Sequence, residues 1–560
     1  MVNWYDPQQL AFTAVKTVVS GIFGNFADRR EMQAALDQQS DPHDFSNTGE
    51  IWIDYISDLG DGFNPTYTMA HLMAQENLEV DGEKINRGNI LIMGGDQVYP
   101  TPELEEYENR LRGPYKAAFP WIDGDDNRPS LFALPGNHDW YDGLTNFLRL
   151  FCQGRSLGNW HSKQRRSYFA LKLPHNYWLL GIDIQLNADI DYPQLCYFRD
   201  IVNDHIEPGA KIILCTAEPS WVYQSLDKKN NSHDRIEFFI ENILYGKKDD
   251  HGEKKKDIQI VTILTGDLHH YSRYEESGED GITRQLITAG GGGAFTHPTH
   301  TLEKKIEPAE GYSATLTEIF PTRNASRRLS LHNILFPFYS YTMVLFFGFL
   351  HLFTAWLLQI GSTGNFMKKI SQFSLVESPE ILTAVLESVR LAPSVVALNL
   401  LLLAGLVLFT DTSSGKGKWN YLAGVMHGFL QLINLYFLIW LFSRWNLHHL
   451  GMETAHWEQV LLFSAEMIII GGIVSAVIFG IYLLVSISLL DNHITEASSS
   501  YRWEGYKNFL RLHLTEEGLT IYPIGVEKVV TNWKNVGTEE NPKFEGDPID
   551  YSLIEKPIKI

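Results

Sequence analysis

Up to about residue 300 the hydrophobic positions fall in short, separated runs: IWIDYIS at 51–57, NILIMG at 89–94, SLFALP at 130–135, KIILC at 211–215 and QIVTILT at 259–265. Each run is rich in β-branched or aromatic residues and most close on Gly or Pro, the pattern of buried parallel strands. Between about 334 and 490 the pattern changes to four long apolar segments, at 334–360, 391–410, 421–442 and 467–490, each near or above the ~20 residues that a bilayer-spanning helix needs. Residues 7 to 26 place Val15, Val18, Val19, Ile22, Phe23 and Phe26 on one helical face, fit either to lie in a bilayer surface or to dock on the rest of the protein. After the last long segment, NFLRLHL and LTIYPIGVEKV are predicted as two strands joined through Glu517-Gly518, a small β element packing on the head.

Polar residues gather at the strand ends. Asp58-Leu59-Gly60, Gly95-Asp96-Gln97-Val98-Tyr99 and Gly136-Asn137-His138-Asp139 follow the first three runs, Thr216-Ala217-Glu218-Pro219 the fourth, and Gly266-Asp267-Leu268-His269-His270-Tyr271 the fifth. Ligand groups in open α/β sheets collect on the loops past the carboxyl ends of strands, so these clusters predict one shared site. Carboxylate, amide and imidazole together point to hard or borderline cations rather than to a thiolate site.

In order and spacing these strings resemble the five motifs of the calcineurin-like metallophosphoesterase superfamily, and the Asp-x-Gly and Gly-Asp-x-x-Tyr forms look most like its purple-acid-phosphatase branch. The resemblance spans roughly residues 46 to 300. It implies an α/β fold with a metallophosphoesterase-type β-sandwich flanked by helices, and two divalent metal ions, Mn or Mg favoured and Fe or Zn possible, that activate a water for attack at phosphorus. By the same resemblance Asp96 bridges the metals, Asp58, Tyr99 and His269 complete the first shell, and Asn137 ligates the second ion. His138 serves as general acid, with Asp139 able to orient its ring.

The chain departs from the family pattern on the second metal's side. Ala217 or Glu218 stands where a His is expected, and Asp267 replaces the first His of a Gly-His-x-His motif. Two outcomes are open: Glu218 and Asp267 rebuild an oxygen-rich site suited to Mn²⁺ or Mg²⁺, or the site is single-metal or inactive. Asp61 is a spare carboxylate or a turn residue. The run Gly290 to Gly293, followed by His297 and His300, is either a loop bringing a His to the phosphate or one requiring unusual backbone angles. Trp140 and Tyr141 wall the pocket or fill the core, and of His269 and His270 only one can face the metal.

Over 560 residues, 44% hydrophobic, the organisation reads as an N-terminal amphipathic region (1–45), a metallophosphoesterase domain (46–300), a linker (301–333), a four-helix transmembrane bundle (334–490) and a C-terminal β element and tail (491–560). Lys304, Lys305, Arg323, Arg327, Arg328, Lys416, Lys418, Arg502, Lys507 and Arg511 flank the spans on the head side, against Lys368, Lys369, Arg390 and Arg444 opposite. That bias predicts a multi-pass protein with its head and both termini in the cytoplasm. No basic leader precedes the first apolar stretch, and Cys152, Cys196 and Cys215 lack metal-finger spacing, which suits a reducing compartment. A net charge of −21 argues against nucleic acid. Expected partners are the bilayer and a phosphorylated substrate, a lipid-linked one first; oligomeric state is left open. His351, His427, Asn434 and Glu466 within the spans mark either interhelical hydrogen bonds or an ion path. The expected function is a membrane-anchored phosphoesterase; the rival is a phosphatase-like sensor head regulating the bundle.

Overall fold

The computed structural model describes residues 1–24, 41–124, 128–184, 190–227, 230–246, 256–278, 283–309, 311–362, 364–410, 417–539 and 541–560, without the side chains of 21–24. Phe26, Lys416 and residues 247–255 lie outside the described residues, as do the side chains of Ile22 and Phe23. The chain forms two units: Met1–Val2, Phe12–Ser326 and Arg502–Ile560 make one, Asn3–Ala11 and Arg327–Tyr501 the other.

The first unit holds the predicted strands β1 (Ile51–Ile56), β2 (Ile90–Met93) and β3 (Ser130–Ala133), mutually parallel and buried along their whole lengths. A second sheet contains β4 (Phe169–Lys172), β5 (Tyr177–Ile182), β6 (Ala210–Thr216), β7 (Ile258–Thr265), β8 (Tyr271–Gly278), β9 (Thr283–Ala289) and β10 (Tyr312–Phe320). In it β5, β6, β7 and β9 run parallel, β4 is antiparallel to β5, and β8 is antiparallel to both β9 and β10. Alternation along β1 shows how the sheets stack: Ile53 and Tyr55 pack with Ile213, Leu264 and Ile287 of the second sheet, while Trp52 and Ile56 pack with helix residues such as Met69 and Met73 on the outer face. The parallel strands are those that the pattern predicts, and two large mixed sheets with helices outside are the α/β arrangement that the resemblance implies.

The C-terminal strands depart from expectation. β11 (Lys507–Thr515) and β12 (Gly518–Val526) are not a separate small element; β11 pairs antiparallel with β1 and extends the first sheet. Arg511 of β11 is fully buried and forms a two-point ion pair with Asp54 of β1, at 2.7 and 3.0 Å. Lys507 is likewise fully buried. Both were counted among the basic residues flanking the spans; they are core residues, and the charge bias rests on the others.

The second unit has three helices long and apolar enough to cross a membrane, Tyr341–Gly361, Gly417–His449 and Trp457–Leu489. The expected fourth span is instead a pair, Leu375–Leu391 and Pro393–Leu408, bent by 103°. Proline disfavours helical backbone in the residue before it, and Ala392 sits at φ −118°, ψ 81°. Glycines set the closest packing: a Cβ on Gly348 would come within 2.1 Å of the Ile468 carbonyl oxygen, and one on Gly472 within 2.2 Å of that of Val344. Polar residues of these helices bond across them, with Asn434 Nδ2 donating to Ser475 Oγ at 3.1 Å, His351 Nε2 3.2 Å from the same hydroxyl, and Asn446 donating to Glu466 at 2.7 Å. His427 lies 3.2 Å from Gln431 Nε2.

The helix Pro7–Gly24 carries its apolar residues outward, with Val15 and Val18 about 60% exposed, while Ser20 Oγ donates to the Trp140 carbonyl at 3.1 Å.

Candidate functional site

Four strand ends are joined in two pairs, β1 with β2 and β6 with β7, through backbone bonds before any side chain is considered. Asp58 N–H donates to the Gly95 carbonyl at 3.0 Å, Leu59 N–H to Asp96 at 2.8 Å, and Gly266 N–H to Ala217 at 2.9 Å. Asp58, Asp96 and Asp267 each turn out of their strands with left-handed backbone, at φ 61°, 49° and 66°. Non-glycine residues take this region rarely and at a cost, and such residues concentrate at functional sites.

Glycines let the loops close on the carboxylates. A Cβ on Gly136 would lie 2.1 Å from Asp96 Oδ1, and one on Gly266 or Gly290 2.6 Å from Asp58 Oδ2. None of Gly290 to Gly293 has a positive φ; each would drive a Cβ to within 2.4 Å of a neighbouring atom. The glycine run therefore serves close approach, not unusual backbone angles.

On the floor, the Tyr99 hydroxyl lies 3.1 Å from Asp58 Oδ1, 3.1 Å from Asp96 Oδ2 and 3.0 Å from His269 Nε2. His269 Nδ1 is 2.8 Å from the Phe295 carbonyl, which can only accept, so Nδ1 carries the proton and Nε2 turns a lone pair to Tyr99. One phenolic proton thus faces three acceptors. Burial, then mutual repulsion with Asp96 and Asp267, pushes Asp58 well above the carboxylate range, and burial with the charge of Asp267 raises Asp96. Burial, reinforced by His297 and Lys507, holds His269 well below the usual histidine range, so it stays neutral.

These donors fit a hard or borderline divalent cation in kind: two carboxylates, a phenol, and an imidazole whose other nitrogen is tied to a carbonyl, the usual support of a ligating histidine. Their spacing is that of a hydrogen-bonded cluster around the phenol oxygen. Among the described residues no group of three or more His, Cys, Asp or Glu side chains is spaced to hold a metal ion.

The rim is half-exposed and comprises Asn137, His138, Glu218 and Asp267. His138 donates its backbone N–H to Asp96 Oδ1 at 2.9 Å, and its ring lies between Tyr99 and Tyr141, with centroids at 4.4 and 4.9 Å. The ring is oriented by the Pro100 carbonyl, 2.8 Å from Nδ1, rather than by Asp139. Asp139 is buried and spends its oxygens on the Tyr107 hydroxyl and on the N–H groups of Gly136 and Gln97, so it shapes the loop. Burial lowers His138 to about 4. Asp267 accepts from Tyr223, and its backbone N–H donates to Asp58 Oδ2 at 2.9 Å. Glu218 is pushed up to about 8 by burial and by Asp267, which puts its carboxyl in the same electrostatic pool. Ala217 is packed against Gly95. The Asn137 side chain accepts from His138 N–H at 3.0 Å.

Of the other candidates, His297 stacks on His269 at 4.0 Å and accepts its backbone N–H, whereas His300 bonds Ser326. Asp61 accepts from Val2 N–H, and Trp140 is core. Sequence reasoning missed Tyr223 and Lys507. Lys507 Nζ donates to the Ala294 carbonyl and to Thr296 Oγ1, bracing the loop that bears Phe295 and His297. No motif marks either residue, because both arrive from other elements.

No protein-family model matches the sequence, and no curated protein matches it. Among solved structures, it is similar to GAP50, the anchor in the inner membrane complex of Plasmodium, at 14% identity and TM-score 0.31, covering 45% of this chain and 74% of that one. It is also similar to PhoD, at 12% and 0.28, covering 46% of this chain and 59% of that one. A third is the purple acid phosphatase PPD1 from yellow lupin (Lupinus luteus) seeds, at 12% and 0.28, covering 48% of each chain. Likeness at these scores carries no argument.

Proposed function

We propose that the chain is a membrane-anchored, metal-dependent phosphoesterase. The observation that carries this reading is the Tyr99 hydroxyl, whose single proton faces two buried carboxylate oxygens and an imidazole lone pair. Surplus buried acceptors of this kind are costly unless a cation joins them. Asp58, Asp96, Tyr99 and His269 would hold one ion, and Asp96 with Asn137, Asp267 and Glu218 a second. Divalent ions bound there would supply Lewis acidity and an activated water at neutral pH. The oxygen-rich second set favours Mn²⁺ or Mg²⁺.

His138 is the residue that would protonate the departing oxygen. Its Nδ1–H is committed to Pro100, which leaves Nε2 as the proton-carrying atom. An anionic phosphate beside the ring raises its affinity for that proton.

Membrane anchoring is supported by the three long helices. In this reading the bent pair is one broken span, which brings the crossings to four. The basic flank puts the head in the cytoplasm. A head tethered at a bilayer meets lipid phosphates at high local concentration, so a phospholipid or lipid-linked pyrophosphate is the favoured substrate.

The test is turnover of nitrophenyl phosphate by the full chain in nanodiscs, expected with Mn²⁺ and abolished by chelation. His138→Ala should cut kcat by about 10²–10⁴ on alkyl phosphates and less on nitrophenyl phosphate, whose leaving group needs no proton. No turnover with any divalent ion, together with retained phosphate binding, would instead establish a sensor head.

A further inference from the structure

A chain of net charge −21 places three cations within four residues, Lys163, Arg165 and Arg166. Lys163, Arg165 and Arg166 line a cavity of about 360 Å³ with His43, Tyr168 and Tyr197, and among the described residues Asp41 is the one carboxylate on its wall. The loop that bears the three cations is braced from inside. Gln164 is buried, its Oε1 accepting from Ala133 N–H at 2.6 Å and its Nε2 donating to the carbonyls of Ala133 and Arg166. With Gln164 fixed inward, Lys163 and Arg165 on either side of it are exposed, as alternation in an extended segment requires. Arg166 lies over the rings of Tyr168 and Tyr197, at 5.9 and 5.2 Å. His43 is pushed down to about 4, by burial first and then by Lys163 and Arg165, as a positive local field demands.

The topology puts this cavity at the same end of the sheet as the candidate site. Phe169, the first residue of β4, pairs with Gly181 near the end of β5, and Ile182 pairs with Thr216, where β6 runs out toward Glu218. Two strand spacings, roughly 10 Å, separate β6 from β4. Asp183 then ties the two loops: Trp140 Nε1 donates to its Oδ1 at 3.2 Å, and Ser167 Oγ to its Oδ2 at 2.5 Å. Trp140 lies two residues after His138, and Ser167 follows Arg166 directly.

We infer that this basic cavity is a second anion subsite, which takes a phosphate or other multiply charged anionic group held away from the phosphate that reacts. The cavity stands on its own charge and shape; its role as a substrate subsite rests on the phosphoesterase reading above. Planar guanidinium groups and an ammonium on a braced loop suit phosphate oxygens, and the tyrosines exclude water from one wall. The anion can be a soluble polyphosphorylated compound or the headgroup of an anionic lipid; the chemistry is shared.

The probe is inorganic tripolyphosphate, titrated calorimetrically into the full chain in phosphatidylcholine nanodiscs. Lys163→Gln with Arg165→Gln, both at exposed positions, should weaken its binding at least tenfold and flatten the salt dependence of the dissociation constant. Unchanged affinity in that double variant, or binding lost in Asp96→Asn but kept in the double variant, would overturn the subsite. If no phosphoester is hydrolysed while binding still depends on Lys163 and Arg165, the subsite stands and the phosphoesterase reading falls. Replacing part of the phosphatidylcholine by a phosphatidylinositol phosphate separates the two sources. A raised apparent dissociation constant for tripolyphosphate identifies the headgroup, and an unchanged one a soluble anion.

Discussion

Asp58, Asp96, Tyr99 and His269 are at most 4% exposed, whereas Asn137, His138, Glu218 and Asp267 stand half-open at the mouth. The floor is fixed from several directions at once. Asp96 takes the backbone N–H of His138, Asp58 takes that of Asp267, and glycines press on both carboxylates with no room for a methyl group. The rim residues have solvent on one side. A histidine can therefore be exchanged there for a carboxylate at little cost in packing, and Glu218 and Asp267, where the chain departs from the motifs it resembles, stand on the rim. Chemistry that depends on the floor resists sequence change, and chemistry that depends on the rim is open to retuning.

The largest effect should come from the floor. Asp96→Asn keeps the volume but removes the charge shared between both proposed metal sets, so activity should fall to background and metal content should fall with it, read by mass spectrometry of the purified protein. Full metal and full rate in this variant would remove the basis for treating the floor as the chemical core.

A smaller effect should come from beneath the floor. Lys507 braces Ala294 and Thr296, the loop whose Phe295 carbonyl sets the tautomer of His269. Lys507→Met should weaken metal affinity about 10–100-fold, the usual worth of a group that orients a ligand, with activity recovered at high metal concentration. Thr296→Val should move both quantities the same way and less. A loss of activity that added metal does not rescue would show that Lys507 supports the fold and not the site.

The strand runs were legible because each is short, apolar and followed by a cluster of polar residues, and the floor residues sit in those clusters. The membership of β11 was not legible. Its alternation was clear, but nothing local tells a strand which partner it joins across 457 residues, and Arg511 read as a flanking charge because its partner Asp54 lies in β1. The bend at Ala392-Pro393 was overlooked because a hydropathy pattern sums apolar residues without registering where proline breaks the backbone. Asp139 was assigned to the His138 ring by analogy, yet its oxygens are taken by Tyr107 and two backbone N–H groups, partners that spacing does not reveal.

The smallest effect concerns pH, and it tests whether floor and rim share one charge problem. Glu218 is pushed up to about 8, and Asp58 and Asp96 are displaced in the same direction, by burial first, then by Asp96 and Asp267 for Asp58 and by Asp267 for Asp96. A carboxyl whose folded pKa lies above its unfolded value contributes stability that is fully present below the unfolded pKa and is lost as pH rises through the folded one. In the chelated protein, stability should therefore fall between about pH 4.5 and 8, by about 1–2 kcal/mol for the partly solvated rim carboxyl, read as a lower Tm at pH 8 than at pH 5. Glu218→Gln should flatten part of that slope, since the amide has no proton to lose. Added Mn²⁺ should flatten the rest, because a cation among the floor acceptors relieves the repulsion that the protons relieve at low pH. A slope that Mn²⁺ leaves untouched would mean that the buried carboxylates are a structural cluster with no cation to bind, and the contrast between floor and rim would lose its chemical meaning.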